Sequence, residues 1–325
     1  MCRQELSLPP WLRGLLAALF GLVVAAPLSA DAPWDPDKVE LEVHRMAEGV
    51  YAVLPADAFS RDHVGTTAGF VVGERDVLLV ETLVNQALTE ALLALVRDTT
   101  DKPIRYVVNS SYHGDHSYGN ALLPDEVIVI QHPATAAYIG SAFDADRAFM
   151  VELMGAGKGI EAVQPRAADL LVDDLLTIDL GGRRVEIRHF GFAQTPGDLV
   201  IWVPEAEVLW VGNMVQAAPP AIPWLLEGRH PETIATLEAV RAFLPATATI
   251  IPGHGKPMPR AGIDYSLDYL RRLDALVRRA QAGGRSLDEL RENGALAGFD
   301  AYSLYPFAHG EVNLPMAWKT LAEAP

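Results

Sequence analysis

Cysteine is nearly missing from this chain: Cys2 is the only one among 325 residues. No disulfide can form within the chain, and no group of thiolates can hold a zinc ion or an iron–sulfur cluster. Any bound metal has to be held by nitrogen and oxygen. Basic residues are also scarce, with 26 Lys and Arg against 42 Asp and Glu and a formal charge of −16. That balance argues against nucleic acid and against an anionic membrane surface as partners. Internal repeats and low-complexity tracts are absent. Half of the residues are apolar and 21% are charged, enough for a sizeable globular core.

The longest apolar run, residues 14–26, lies behind Arg3 and Arg13 and ahead of Pro27-Leu-Ser-Ala30. It predicts a cleaved secretion signal over residues 1–30, with an uncleaved anchor as the alternative. The run is short for a comfortable transmembrane helix. No Arg-Arg pair occurs in it, which favours ordinary secretion over a twin-arginine route. The expected location is periplasmic or secreted. Residues 31–39 read as a linker.

Beyond the linker the pattern alternates between strands and helices. Strands are expected at residues 41–45 and 50–54, then a polar loop at 56–67 that carries Asp62 and His63. Residues 68–72 and 77–80 read as a hairpin. A helix is expected over 83–97, strands at 104–108 and 127–130, and a helix from Pro133. Further hairpins are expected at 170–180 with 183–188, around Gly181-Gly182, and at 199–203 with 208–211. The remaining expectations are a helix at 231–244 with proline at its start, a strand at 247–251, and helices at 263–282, 286–292 and 312–323. Strands faced by helices in this order predict an α/β fold, a four-layer αββα sandwich over residues 40–260. Residues 261–325 read as a helical extension packed on the same domain.

The most informative stretch follows strand 104–108. Asn109-Ser110-Ser111 is a turn-forming cluster, and within four residues the chain then presents His113, Asp115 and His116. Two imidazoles and a carboxylate suit a borderline divalent cation such as zinc. Gly114 permits a tight turn between them. Other strand-end loops carry Gly191-Phe-Ala-Gln194-Thr-Pro-Gly197, Gly212-Asn213 and Gly253-His254-Gly255.

Taken in order, these motifs resemble the metallo-β-lactamase-fold hydrolases over roughly residues 40–265. The tail, with Asp264-Tyr-Ser-Leu-Asp-Tyr-Leu270 and Val312-Asn313, is similar to a secreted branch grouped with quinoprotein-relay and sulfur-oxidation proteins. The resemblance implies a second-site metal held by Asp115, His116 and His254. It also implies a first site at the positions of Ser111, His113 and Gln194, where only one imidazole of three is present. The residue that bridges two metals in many members is Asn213 here. The expectation is therefore one zinc per chain rather than two, with His113 as a further candidate ligand. A diiron centre is disfavoured because the bridge and the first site are altered.

Asp115 and His113 are the expected catalytic groups, with Asn213, Gln194, Ser111 and Tyr112 facing substrate or an oxyanion. The leading reading is a hydrolase for a small-molecule ester, thioester, lactone or lactam. The alternative is a degenerate member that binds a ligand, or a periplasmic quinoprotein-related partner, without turnover. His63 is weighed as a substitute ligand and His309 as a cover for the cleft mouth. His44, His132, His189 and His230 are read as structural. Trp224 is read as a substrate wall or as packing.

Overall fold

The computed structural model describes residues 35–62 and 64–323. The expected signal segment, residues 31–34 of the expected linker and His63 lie outside the described residues. The short apolar runs fold into two sheets. In the first, β1 (Leu41–Ala47), β2 (Val50–Pro55), β3 (Ala68–Val72), β4 (Val77–Val80), β5 (Ile104–Val108), β6 (Ile128–Gln131) and β7 (Leu170–Leu171) lie side by side in chain order. The first four strands pair antiparallel, and the pairings from β4 to β7 are parallel. The second sheet also follows chain order: β8 (Leu175–Asp179), β9 (Arg184–His189), β10 (Leu199–Val203), β11 (Val208–Ala217), β12 (Thr249–His254) and β13 (Met258–Pro259). Its β11–β12 pair is parallel.

Side chains alternate across each strand, so each sheet feeds two cores. Ala52, Val71 and Leu78 of the first sheet meet Ile187, Ile201 and Val208 of the second. Val53, Phe70 and Leu79 point the other way, onto α1 (Gln86–Thr99) and α3 (Pro133–Met154), which supply Leu92, Val96 and Phe143. Between those helices lies the one-turn α2 (Gly114–Ser117). The outer face of the second sheet packs on α4 (His230–Phe243), α5 (Ala261–Ala282), α6 (Leu287–Asn293) and α7 (Leu314–Glu323). The layers run helix, sheet, sheet, helix, as expected. Each fully buried Leu, Ile or Val contributes about 1.5–3 kcal/mol, so three such cores can hold the fold without cross-links.

Several local expectations are corrected. Residues 170–180 are not one strand. Leu170–Leu171 pairs with β6 in the first sheet, and Leu175–Asp179 begins the second. Asp173 and Asp174 interrupt the apolar run where the chain crosses between sheets. Helix α1 starts three residues later than expected, because Glu81 and Leu83 have φ of 61° and 68°. Asn85 then caps the helix by accepting from the Leu88 N–H. Gly212 and Asn213 lie inside β11, at a register shift, rather than in a strand-end loop. The last helix begins at Leu314, behind a π-helical turn at Pro306–Asn313.

Candidate metal centre

Strand β5 delivers the chain to Asn109, a fully buried side chain that organises the next eleven residues. Its Nδ2 donates to the His116 carbonyl at 3.1 Å, and its Oδ1 accepts from Asn120 and from Gln131 at 2.7 Å each. From the second sheet, β12 brings His254 to the same edge. There the Thr67 N–H donates to the Gly253 carbonyl at 2.8 Å, and Thr66 bridges to His254. Residues far apart in sequence are thereby fixed by backbone bonds.

Asp115, His116 and His254 are the result. Each offers one ligand atom, and these atoms lie within 4.8 Å of one another. His116 Nε2 and His254 Nε2 approach Asp115 Oδ2 at 3.4 and 3.5 Å. The opposite nitrogen of each ring is engaged elsewhere. His254 Nδ1 lies 3.1 Å from the Val64 carbonyl, a partner that assigns the proton to Nδ1 and the lone pair to Nε2. His116 Nδ1 lies 3.1 Å from Glu81 Oε1, close enough for electrostatic pairing although the alignment falls short of a hydrogen bond. His116 Nε2 is buried with no hydrogen-bond partner. Two imidazole nitrogens and a carboxylate oxygen aimed at one point, one of them an orphaned buried atom, fit a zinc ion with an open position.

The electrostatics agree. Burial opposes charge on His116, but Asp115 and Glu81 overcome it and hold the pKa at about 9. That ring carries a proton where a cation would sit. Burial pushes His254 down to about 4, against the pull of Asp115, so it is neutral and available as a ligand. Burial also opposes the charge of Asp115, yet the three histidines and the Thr66 hydroxyl, which donates at 2.5 Å, hold it below the usual carboxylate range.

His113 lies outside this trio. It is buried, its Nε2 has no hydrogen-bond partner, and burial pushes its pKa down to about 4. Ser111 is fully buried, and its hydroxyl accepts from the His113 N–H at 3.4 Å. Gln194 sits beside His113, and its Nε2 reaches Gln216 Oε1 and the Trp224 carbonyl at 3.3 Å each. Asn213 Oδ1 is buried without a partner. It faces Gly253 so closely that a Cβ there would come within 2.0 Å of it. The ring of Tyr112 lies 4.6 Å from that of His113 and stacks at 3.7 Å on Tyr138. The expected first-site positions therefore form a neutral, buried, hydrogen-bonding group.

The other histidines have structural partners. His230 pairs with Asp274 at 2.9 Å, and His44 faces Glu42 at 3.5 Å. His132 caps α3 and lies 4.2 Å from the ring of His189, whose Nδ1 contacts the Asp198 carbonyl. His309 is buried between Tyr269 and the Gly294 carbonyl, a packing position rather than a cover on the cleft.

Motif reading missed four supporting residues: Glu81, Thr66, Asp198 and Asp146. Glu81 follows an apolar strand directly, and a buried charge at a strand end was the available signal. Asp198 accepts from the Gln194 and Thr195 N–H groups at 2.6 and 2.7 Å, which shapes the loop that presents Gln194. Thr66 and Asp146 sit in segments with no motif around them.

Comparison with known proteins bears on this geometry. The family model for the metallo-beta-lactamase superfamily matches residues 61–254, more than half of the chain and all of the site elements. The metallo-beta-lactamase type 2 of Bacteroides fragilis is 22% identical over 245 residues, covering 74% of this chain and 88% of that protein. A metallo-beta-lactamase structure from Pontibacter korlensis superposes with a TM-score of 0.54 at 18% identity, covering 71% of this chain and 99% of that one. The DIM-1 metallo-beta-lactamase exposed to ceftazidime gives 0.58 at 16% identity, covering 72% and 99%. At these identities the solved structures speak for the fold. With the family model spanning the strands and loops that assemble Asp115, His116 and His254, the chain belongs to the metallo-beta-lactamase superfamily.

Proposed function

We propose that this protein is a secreted, zinc-dependent hydrolase that opens an ester, thioester, lactone or lactam bond with one metal ion per chain. The observation that carries the reading is the convergence of His116 Nε2, His254 Nε2 and Asp115 Oδ2 on one point. That Ser111 and Gln194 stand where the resemblance puts first-site ligands supports the count of one ion. Zinc held there supplies Lewis acidity toward an acyl oxygen and lowers the pKa of a water to about 7. The protein's own groups do the rest. Asp115 orients the attacking water and afterwards carries a proton to the leaving group. His113, neutral and without a partner on Nε2, orients the substrate. Asn213 offers an amide donor to a developing oxyanion, while the Gln194 amide N–H groups are held by Gln216 and the Trp224 carbonyl and shape the pocket wall. The Thr66 hydroxyl fixes the Asp115 carboxylate by donating to Oδ2, the same oxygen that His116 and His254 face.

The substitutions at positions 111, 194 and 213 favour a second reading: a member that binds a small molecule or a periplasmic quinoprotein-related partner without turnover. Metal content decides first. The full chain, purified without chelator, should carry about one zinc, and His254→Ala should lose it. A screen of esters, thioesters, lactones and lactams then separates enzyme from binder. Absence of zinc even after its addition would sink the hydrolase reading.

A further inference from the structure

Asp146 sits in the middle of α3, 6% exposed, in a position no ligand motif includes. The Tyr118 hydroxyl donates to its Oδ2 at 2.5 Å. The Tyr138 hydroxyl and the Gly114 N–H also act on the carboxyl. Among the described residues, no Lys or Arg is one of the largest influences on it, and the neighbouring Arg147 turns away to Asp144 and the Val163 carbonyl. A carboxyl buried without a cation is costly, so what it holds has to be worth that cost to the fold.

What it holds is the metal loop. Gly114 opens α2 and Tyr118 follows its last residue, while Asp115 and His116 lie between them. The Tyr118 ring rests on Gly114 so tightly that a Cβ there would come within 2.3 Å of it. Asp146 thus acts on both ends of the one-turn helix whose middle presents two of the three ligand atoms. The same wall grips the residue before the loop. Tyr138 stacks on Tyr112 at an interplanar angle of 17°, and the Tyr112 hydroxyl donates to Glu227.

We propose that Asp146, through Tyr118 and Gly114, is a positioning residue that sets the placement of Asp115 and His116 for the cation, an inference that rests on the metal-site reading above. Groups that orient ligands from behind typically change metal affinity about 10–100-fold when removed.

The test uses the full chain with Asp146→Ala, Asp146→Asn and Tyr118→Phe. Zinc affinity is measured by competition with a chromophoric chelator. The ligand-field spectrum of the cobalt(II) form and the melting temperature of the metal-free form are recorded beside it. Asp146→Ala should weaken zinc about 10–100-fold and change the cobalt spectrum. Tyr118→Phe should move both in the same direction, and Asp146→Asn, which keeps an acceptor for the Tyr118 hydroxyl, should retain most of the affinity. If Asp146→Ala fails to fold, Tyr118→Phe decides. Variants that melt lower but bind zinc as tightly, with an unchanged cobalt spectrum, would overturn the positioning role and leave the metal site standing. An unaltered protein that takes up neither zinc nor cobalt would bring down the metal site and this role together.

Discussion

Two buried carboxylates, Glu81 and Asp146, back the loop that carries Asp115 and His116. Glu81 is 2% exposed and accepts the Ser110 N–H on both oxygens at 3.2 Å, while facing His116 Nδ1. Glu81→Gln keeps the shape and removes the charge, so zinc affinity should fall about 10–100-fold by calorimetric titration. An unchanged affinity would reduce Glu81 to strand-end packing. Asp146 bears on stability as well. Burial, opposed by Tyr118 and Tyr138, raises its pKa from 3.8 to about 7. The folded state therefore holds this proton more tightly than the unfolded state. Its stabilising contribution is complete below the unfolded value of 3.8 and is lost as pH rises through about 7. Urea unfolding of the metal-free protein should show Asp146→Asn gaining on the unaltered chain between those two values. A stability difference that does not change with pH would contradict this. His116 and Asp115 were legible from sequence because ligands cluster in one motif. Glu81 and Asp146 were not, since a lone acidic residue looks the same whether it meets solvent or a buried hydroxyl.

At the scale of elements, close backbone approach matters more than propensity. Strand β11 shifts register at Gly212, whose φ is 54° and where a Cβ would come within 2.1 Å of Ser110 Oγ. On the neighbouring strand, Gly253 lies against Asn213 Oδ1. Gly253→Ala should displace Asn213 and lower stability by about 1–3 kcal/mol, the usual cost of overpacking, read from denaturant midpoints. By contrast, the α1 cap is an ordinary device. Asn85→Ala should cost about 1 kcal/mol with the zinc site intact, measured by thermal melting and metal content. Helix and strand identity followed from apolar spacing and good formers. The bulge in β11 and the split of residues 170–180 did not, because both depend on which strand lies alongside.

For the whole molecule, the helices after residue 260 buttress the site although they lie beyond the matched family region of 61–254. Asn313 is fully buried and accepts from the Leu225 N–H at 2.8 Å, while its Nδ2 donates to the Pro223 carbonyl at 2.7 Å. These two bonds bracket Trp224, whose carbonyl receives Gln194. On the other flank, the Ser303 N–H and hydroxyl both donate to Asp62 at 2.6 Å, tying the 56–62 loop to the tail. Asn313→Ala leaves buried groups unsatisfied at about 1–3 kcal/mol each. It should lower the melting temperature and speed amide exchange at Leu225. Unchanged exchange there would show that the tail packs without holding the loop.

The linear sequence determined the cysteine-free ligand chemistry, the run of strands and helices, and the His113, Asp115, His116 and His254 motifs. Those are properties of residue type and short spacing, which survive in one dimension. Tertiary structure decided which donors meet. His254 reaches Asp115 only because Thr66 and Thr67 join the two sheets at that edge, and His113, although close enough to act on Asp115, stays outside the ligand trio next to Gln194. The partners of a buried group come from distant segments, and only the packing of the layers brings them into contact.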